Sequence, residues 1–204
     1  MKEIVIMSGK GGTGKTSVTA ALAAIVPEKV LADCDVDASN LHLITNPSIV
    51  EQHDYYAGFE PQIHSLLCTQ CNKCTEACRF GAITNGSMTS ALACEGCGVC
   101  ALVCPQTAIV MKTKSAGQWF VSNTPYGVLV HAELGICVES SGKLVSQVRK
   151  KAKEIAFNRS TSLVMTDGPP GIGCPAIAAA TGADLVLAVA EPSVSGIHDL
   201  QRLH

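Results

Sequence analysis

Ile4-Val5-Ile6-Met7-Ser8-Gly9-Lys10-Gly11-Gly12-Thr13-Gly14-Lys15-Thr16-Ser17-Val18 is the stretch that decides the fold. Residues 2–7 form a short apolar run that reads as a buried strand. Residues 15–26 are rich in small apolar residues and close at Pro27, which reads as a helix. Between them, Gly9 to Thr16 fits G-x-x-x-x-G-K-[ST] in the strand-then-helix setting that this phosphate-cradling loop requires. Its glycines let the backbone curl so that several N–H groups address one phosphate. The helix N-terminus adds favourable partial charge. In such a loop Lys15 reaches the β- and γ-phosphates and the Thr16 hydroxyl ligates Mg²⁺. The expected nucleotide-binding residues are Gly9, Lys10, Gly11, Gly12, Thr13, Gly14, Lys15, Thr16 and Ser17.

Lys29 to Ala32 reads as a second strand that runs into Asp33. Strand, helix and strand at this spacing make a βαβ unit and hence a parallel sheet. Residues 45–62 look loop-like. Gly117–Val121 and Val128–His131 read as two strands around the turn Asn123–Gly127. A helix is expected from Gly142 to about Asn158, with Leu144, Val148, Ala152 and Ile155 on one face and Arg149, Lys150 and Lys153 elsewhere. Ser162–Asp167 and Asp184–Ala190 read as strands, Pro175–Thr181 as a helix, and a last helix starts at Ser195.

Of eleven cysteines, eight lie between Cys68 and Cys104. The N-terminus enters its first strand without a signal peptide, so a reducing, cytoplasmic setting is expected, where metal explains cysteines better than disulfides do. Cys68, Cys71, Cys74 and Cys78 have the spacing C-x2-C-x2-C-x3-C, and Cys94, Cys97, Cys100 and Cys104 repeat it 26 residues later. Ala82-Ile83 and Ala108-Ile109 share that offset. This is the bacterial two-cluster ferredoxin pattern, in which the fourth cysteine of each run serves the other cluster. One [4Fe–4S] cluster is therefore assigned to Cys68, Cys71, Cys74 and Cys104, and the second to Cys94, Cys97, Cys100 and Cys78. Pro105 follows Cys104 as the pattern asks, whereas Arg79 takes the proline's place after Cys78. Zinc also binds paired C-x2-C units but does not ask for three cysteines in seven residues plus a fourth, twice over. Cys34, Cys137 and Cys174 read as small buried hydrophobes. His42, His53, His64, His131, His198 and His204 show no ligand spacing, and Trp119 reads as packing.

The whole is then an α/β chain: a mostly parallel sheet of the P-loop NTPase type, with helices on both faces, interrupted by a small α+β ferredoxin-like insertion. The expected boundaries are 1–62 with 114–204 for the nucleotide domain and 63–113 for the insertion. Composition agrees with a packed core, at 47% hydrophobic and 16% charged residues. A net charge of −2 and 4% aromatics leave no basic stripe or stacking platform for nucleic acid. No run approaches the 18 or so apolar residues of a membrane span. Residues 61–113 carry Lys73, Arg79 and Lys112 against Glu76 and Glu95. Two oxidised clusters at roughly −2 each would leave the insertion negative, suiting a redox partner with a basic patch.

With its second lysine, Lys10, the loop has the deviant Walker A form Gly-Lys-Gly-Gly-x-Gly-Lys-Thr, and the chain resembles the MinD/ParA/Mrp-type P-loop ATPases. Asp33-Cys34-Asp35-Val36-Asp37 and Leu163-Val164-Met165-Thr166-Asp167-Gly168-Pro169-Pro170-Gly171 strengthen the resemblance. Glu191-Pro192-Ser193 also fits. The resemblance implies ATP and Mg²⁺ as cofactors beside the two clusters. It implies a homodimer, or a dimer with a paralogous ATPase, in which Lys10 reaches the partner's nucleotide. By the same resemblance Asp35 positions the attacking water, Asp33 supports the magnesium shell, Asp167 holds a magnesium-bound water, and Gly168–Gly171 is a γ-phosphate-sensing loop. The catalytic set is then Lys10, Lys15 and Asp35, with Thr16, Asp33 and Asp167 around magnesium. Some Mrp-type carriers hold a cluster between subunits with a C-x-x-C pair, and this chain has none outside the insertion. Family members continue for several elements past the point where this chain ends at His204, so it is expected to be a C-terminally shortened form, also without MinD's membrane-anchoring helix. Three uses remain open: an ATPase that gates electron flow or serves a redox or iron–sulfur client, an electron carrier with a docking scaffold, and a cluster scaffold.

Overall fold

The computed structural model describes residues 1–85, 87–88, 90–135, 138 and 142–203. Cys137 and His204, read from sequence as packing or surface residues, lie outside the described residues. The chain divides into two compact units, one of Met1–Asp54 with Gly117–His204 and one of Tyr55–Ala116.

The first unit is built on β1 (Lys2–Ser8), α1 (Lys15–Ile25), β2 (Lys29–Asp33), α2 (Leu41–Thr45), the start of β3 (Ser48–Ile63) and the end of β6 (Ile109–Thr124), whose other residues belong to the second unit, and β7 (Gly127–Leu134), α5 (Gly142–Asn158), β8 (Leu163–Pro170), α6 (Cys174–Ala180), β9 (Leu185–Ala188) and α7 (Val194–Leu203). Its seven strands run in the order β3-β6-β7-β2-β8-β1-β9. β1 pairs in parallel with β8 and β9, and β2 with β7 and β8, while β6 and β7 form an antiparallel hairpin. Side chains alternate along a strand. Ile6, Leu31, Leu129 and Met165 thus form one buried layer with Ala23 of α1 and Leu41 of α2. Glu3 points to the other face, where Arg149 of α5 binds it, so helices cover both faces of the sheet.

That pairing revises one expectation. The sequence pattern puts Arg149 off the apolar face of its helix, yet it is buried with Leu144, Val145, Val148, Ala152 and Ala156. Its guanidinium meets Glu3 at 2.8 and 2.6 Å, and its Nη1 donates to the carbonyls of Ala178 and Thr181. Lys153 adds a second cation at 2.7 Å and the Thr166 hydroxyl lies 3.2 Å away. Periodicity cannot distinguish a solvated arginine from one whose partner sits on a strand 146 residues away.

Two further segments differ from the sequence reading. Residues 45–62 are not a loop: most of them form β3, the edge strand of the sheet. Gly58 and Pro61 mask its signal, and an edge tolerates both. Gly168-Pro169-Pro170 is likewise not a loop, because β8 continues through it. An irregularity between Ile6 and Ser8 lets Ser8 pair with Pro170 after Ile6 has paired with Asp167. A Cβ on Gly168 would stand 2.9 Å from the Ile6 carbonyl oxygen, so only glycine fits there.

The second unit contains α3 (Lys73–Ala77), the two-residue strands β4 (Ile83–Thr84) and β5 (Ser87–Met88), and α4 (Val99–Leu102). Its 26-residue repeat reappears in the backbone. Left-handed residues occur at Gln70 and Gly96, at Asn72 and Gly98, and at Gly81 and Thr107. The pairing is also reciprocal: His64 N–H donates to Ala108 O, and Ser90 N–H donates to Ala82 O, each donor and acceptor displaced by the repeat in opposite directions. The two halves therefore pack about a local two-fold axis. Cys74, Ile83 and Ile109 are its small core.

Candidate functional site

In the first unit the loop after β1 and the ends of β2 and β8 enclose a cleft of about 460 Å³. It is lined by Gly11–Ser17, by Asp35, Asp37, Ala38 and Asn40, and by Ser8, Pro169, Pro170, Gly173 and Pro175. This is the carboxyl edge of the parallel strands, where open α/β sheets bind ligands. Gly14 precedes α1 at φ 86° and Gly12 lies at φ 83°, the region that side chains disfavour. Ser8 Oγ donates to Lys10 O at 2.8 Å and braces the loop.

Lys15 is the first residue of α1 and is 5% exposed. Its Nζ lies 3.2 Å from both Asp35 Oδ2 and Asp167 Oδ1. Thr16 Oγ1 donates to Asp167 Oδ2 at 2.7 Å, and Thr19 Oγ1 is 3.0 Å from Asp167 Oδ1. Asp167 thus gathers a lysine and two hydroxyls from the first turns of the helix. Thr13 Oγ1 is buried within the loop and has no hydrogen-bond partner. An unmatched donor inside a curl of backbone N–H groups suits an anion, and a carboxylate with a facing hydroxyl suits a hard cation such as Mg²⁺. The residues present therefore fit a magnesium-bound phosphate ligand.

Asp33 is in register with Asp167 across β2 and β8 and is fully buried. Its Oδ1 accepts from the Asp35 N–H, and its Oδ2 accepts from Ser39 Oγ and the Leu41 N–H. Burial, then the charge of Asp167, push its carboxyl up to about 7 against those three bonds. Asp33 therefore holds the segment from Asp35 to Leu41 in shape. Asp35 is also raised by burial, with Lys15 opposing the shift. Asp37 is exposed at the rim. Lys10 turns out of the cleft, 2.8 Å from Glu191 and 3.5 Å from Ser195 Oγ on its own chain.

In the second unit, Cys68, Cys71, Cys74 and Cys104 line one cavity with Ile109. Cys78, Cys94, Cys97 and Cys100 line another with Phe80, Ile83 and Met111. All eight are free thiols. Ala108 N–H donates to Cys104 Sγ at 3.3 Å. Burial raises the Cys78 thiol, but the backbone N–H groups of Ala82, Phe80, Ile83 and Gly81 more than offset this and leave it below the ordinary range. Burial, with Cys94 and Cys97 nearby, raises Cys100. Four thiols facing one apolar cavity, some with N–H donors on sulfur, fit an iron–sulfur cube.

Of the remaining expectations, Cys34 is fully buried, whereas Cys174 is exposed at the start of α6 and is not a core residue. Trp119 packs face to face on His53 at 4.1 Å. The histidines are not all isolated: His42 and His131, 89 positions apart, converge beside Glu133. Only the pairing of β2 with β7 brings them together, so no spacing rule could find them. Among the described residues no helix is long and apolar enough to cross a membrane.

Residues 4–203 match the model of the CobQ/CobB/MinD/ParA nucleotide binding domain. An uncharacterized protein of Methanocaldococcus jannaschii is 34% identical over 206 residues, a match covering 98% of this chain and 71% of that protein. A second uncharacterized protein of the same organism is 25% identical over 211 residues, covering all of this chain and 74% of the relative. Among solved structures, MinD in the MinC:MinD cell division complex of Aquifex aeolicus superposes with a TM-score of 0.50 at 21% identity, covering all of this chain. This chain spans 62% of that one, and the likeness concerns the fold. On the match along nearly its whole length, the chain belongs to the CobQ/CobB/MinD/ParA family of nucleotide-binding domains.

Proposed function

We propose that this chain is an iron–sulfur ATPase: it binds Mg-ATP in the cleft of the first unit, holds two [4Fe–4S] clusters in the second, and couples nucleotide turnover to electron transfer. The observation that carries the iron–sulfur part is the sorting of eight cysteines into two cavities of four, on a chain that also carries a complete phosphate loop. Cys68, Cys71, Cys74 and Cys104 would hold one cluster, and Cys78, Cys94, Cys97 and Cys100 the other. Each cluster supplies one-electron redox chemistry when bound.

In the cleft, Lys15 exchanges its two carboxylate partners for the β- and γ-phosphates, which frees Asp35 and Asp167. Asp35 then orients a water toward the γ-phosphate. Thr16 and Asp167 hold Mg²⁺, which neutralises charge on the phosphates when bound. Asp33 keeps the Asp35–Leu41 segment in place rather than touching the nucleotide. Lys10 leaves Glu191 to reach the nucleotide of a second copy or a paralogue. Pro169 and Pro170, rigid at the cleft wall, report the γ-phosphate to Gly171 and α6.

Protein purified without oxygen tests both halves. Iron and sulfide should each approach eight per chain, and Mg²⁺-dependent phosphate release should vanish in Asp35→Ala. Zinc in place of iron, or turnover that survives Asp35→Ala, would overturn the corresponding half.

A further inference from the structure

We infer that His42, His131 and Glu133 form a binding site for a divalent transition-metal ion of the zinc class. One ring nitrogen of each histidine and a carboxylate oxygen of Glu133 lie within 4.8 Å of one another. Two imidazoles and a carboxylate are a zinc donor set with room for a water as fourth ligand.

Three independent features prepare this cluster. His131 is 3% exposed, and its Nδ1 is buried without a hydrogen-bond partner. The ring stacks with Phe120 at 5.0 Å and with His42 at 5.3 Å. Burial, reinforced by His42, lowers His131 to about 4. The second feature concerns His42. Its Nδ1 is 3.4 Å from Ser39 Oγ, and Ser39 Oγ donates to Asp33 Oδ2 at 2.8 Å. With its own proton given to Asp33, the serine oxygen can only accept from Nδ1–H. That fixes the tautomer with the lone pair on Nε2, a carboxylate relay of the kind that orients metal-bound histidines. Third, this Nε2 faces Glu133 Oε1 at 4.0 Å. A cation shared between them would bridge that separation.

Donors around a zinc ion at 2.0–2.1 Å stand about 3.4 Å apart. Glu133 is exposed and His42 half-buried, so both can close the remaining distance by rotation. A bound ion would tie α2 to β7. The segment before α2 contributes Asp35, Asp37, Ala38 and Asn40 to the phosphate cleft, so occupancy would steady one wall of it.

The test is equilibrium dialysis of Zn²⁺ alone, without nucleotide, against wild-type protein and the variants His42→Ala, Glu133→Gln and His198→Ala. The cysteines are common to all four proteins and cancel in the comparison. We expect His42→Ala to bind one ion fewer per chain. Glu133→Gln, a change at an exposed position that leaves folding intact, should weaken that ion at least about tenfold. His198→Ala, on an exposed histidine of α7, should match wild type. Equal stoichiometry and affinity in wild type and Glu133→Gln would overturn the site, as would an equal loss in His198→Ala.

Discussion

Replacing Lys15 with methionine removes the cation on which the cleft converges while keeping most of the buried stem. Its Nζ is 3.2 Å from each of two carboxylates at a position 5% exposed. A hydrogen bond to a charged group contributes about 1.5–3 kcal/mol. Two such bonds to phosphate would suggest twice that, but binding exchanges them for two bonds already made to Asp35 and Asp167. The net loss is therefore about one bond's worth, 10- to 150-fold in affinity. The two carboxylates left facing the phosphates push it toward the upper end. Stability without nucleotide should fall too, by about 3 kcal/mol, because buried carboxylates lose their counter-ion. Anisotropy titration of a fluorescent ATP analogue with Mg²⁺ reads the first effect and urea unfolding the second. A dissociation constant within twofold of wild type, alongside reduced stability, would refute the reasoning: Lys15 would be a structural ion pair and phosphate would bind elsewhere.

Arg149→Met leaves Glu3 buried with Lys153 as its remaining cation. The expected cost is about 3 kcal/mol, seen calorimetrically as a Tm lower by roughly 6–12 °C; an unchanged Tm would contradict the packing described. Asp33 has a folded pKa raised from 3.8 to about 7. The folded state therefore binds the extra proton between those values, and this contribution to stability fades as pH rises through that window. Asp33→Asn should gain on wild type by about 1.4 kcal/mol per pH unit from pH 4 to 7 in urea unfolding, and a gain in the opposite direction would exclude the shift. Cys104→Ala should deplete the cluster assigned to Cys68, Cys71 and Cys74, and Cys78→Ala the other. Iron analysis and EPR of the surviving signal would show whether each substitution acts on its own run instead.

The phosphate loop was legible because its function needs residue types at fixed short spacings, and Gly9 to Thr16 supplies them locally. The strands on either side, and α5 to its last residue, were legible for the same reason: their periods are local. What escaped was settled by partners distant in sequence. β3 is a strand because β6 pairs with it, not because its own residues alternate. Arg149 is buried because Glu3 is there to receive it. β8 continues through two prolines because an irregularity in β1 absorbs the register. Asp33, expected beside magnesium, has both oxygens occupied by the chain that follows it, a detail no motif carries. His42 and His131 meet only across the finished sheet.

The proposed function joins a nucleotide cycle to two iron–sulfur clusters on one chain. The most direct measurement is an anaerobic redox titration followed by EPR, with and without Mg-ATP. Two [4Fe–4S] signals are expected, whose potential or line shape changes when nucleotide binds, with the change lost in Lys15→Met. Two intact clusters indifferent to Mg-ATP would contradict the coupling and leave an electron carrier joined to an independent nucleotide domain.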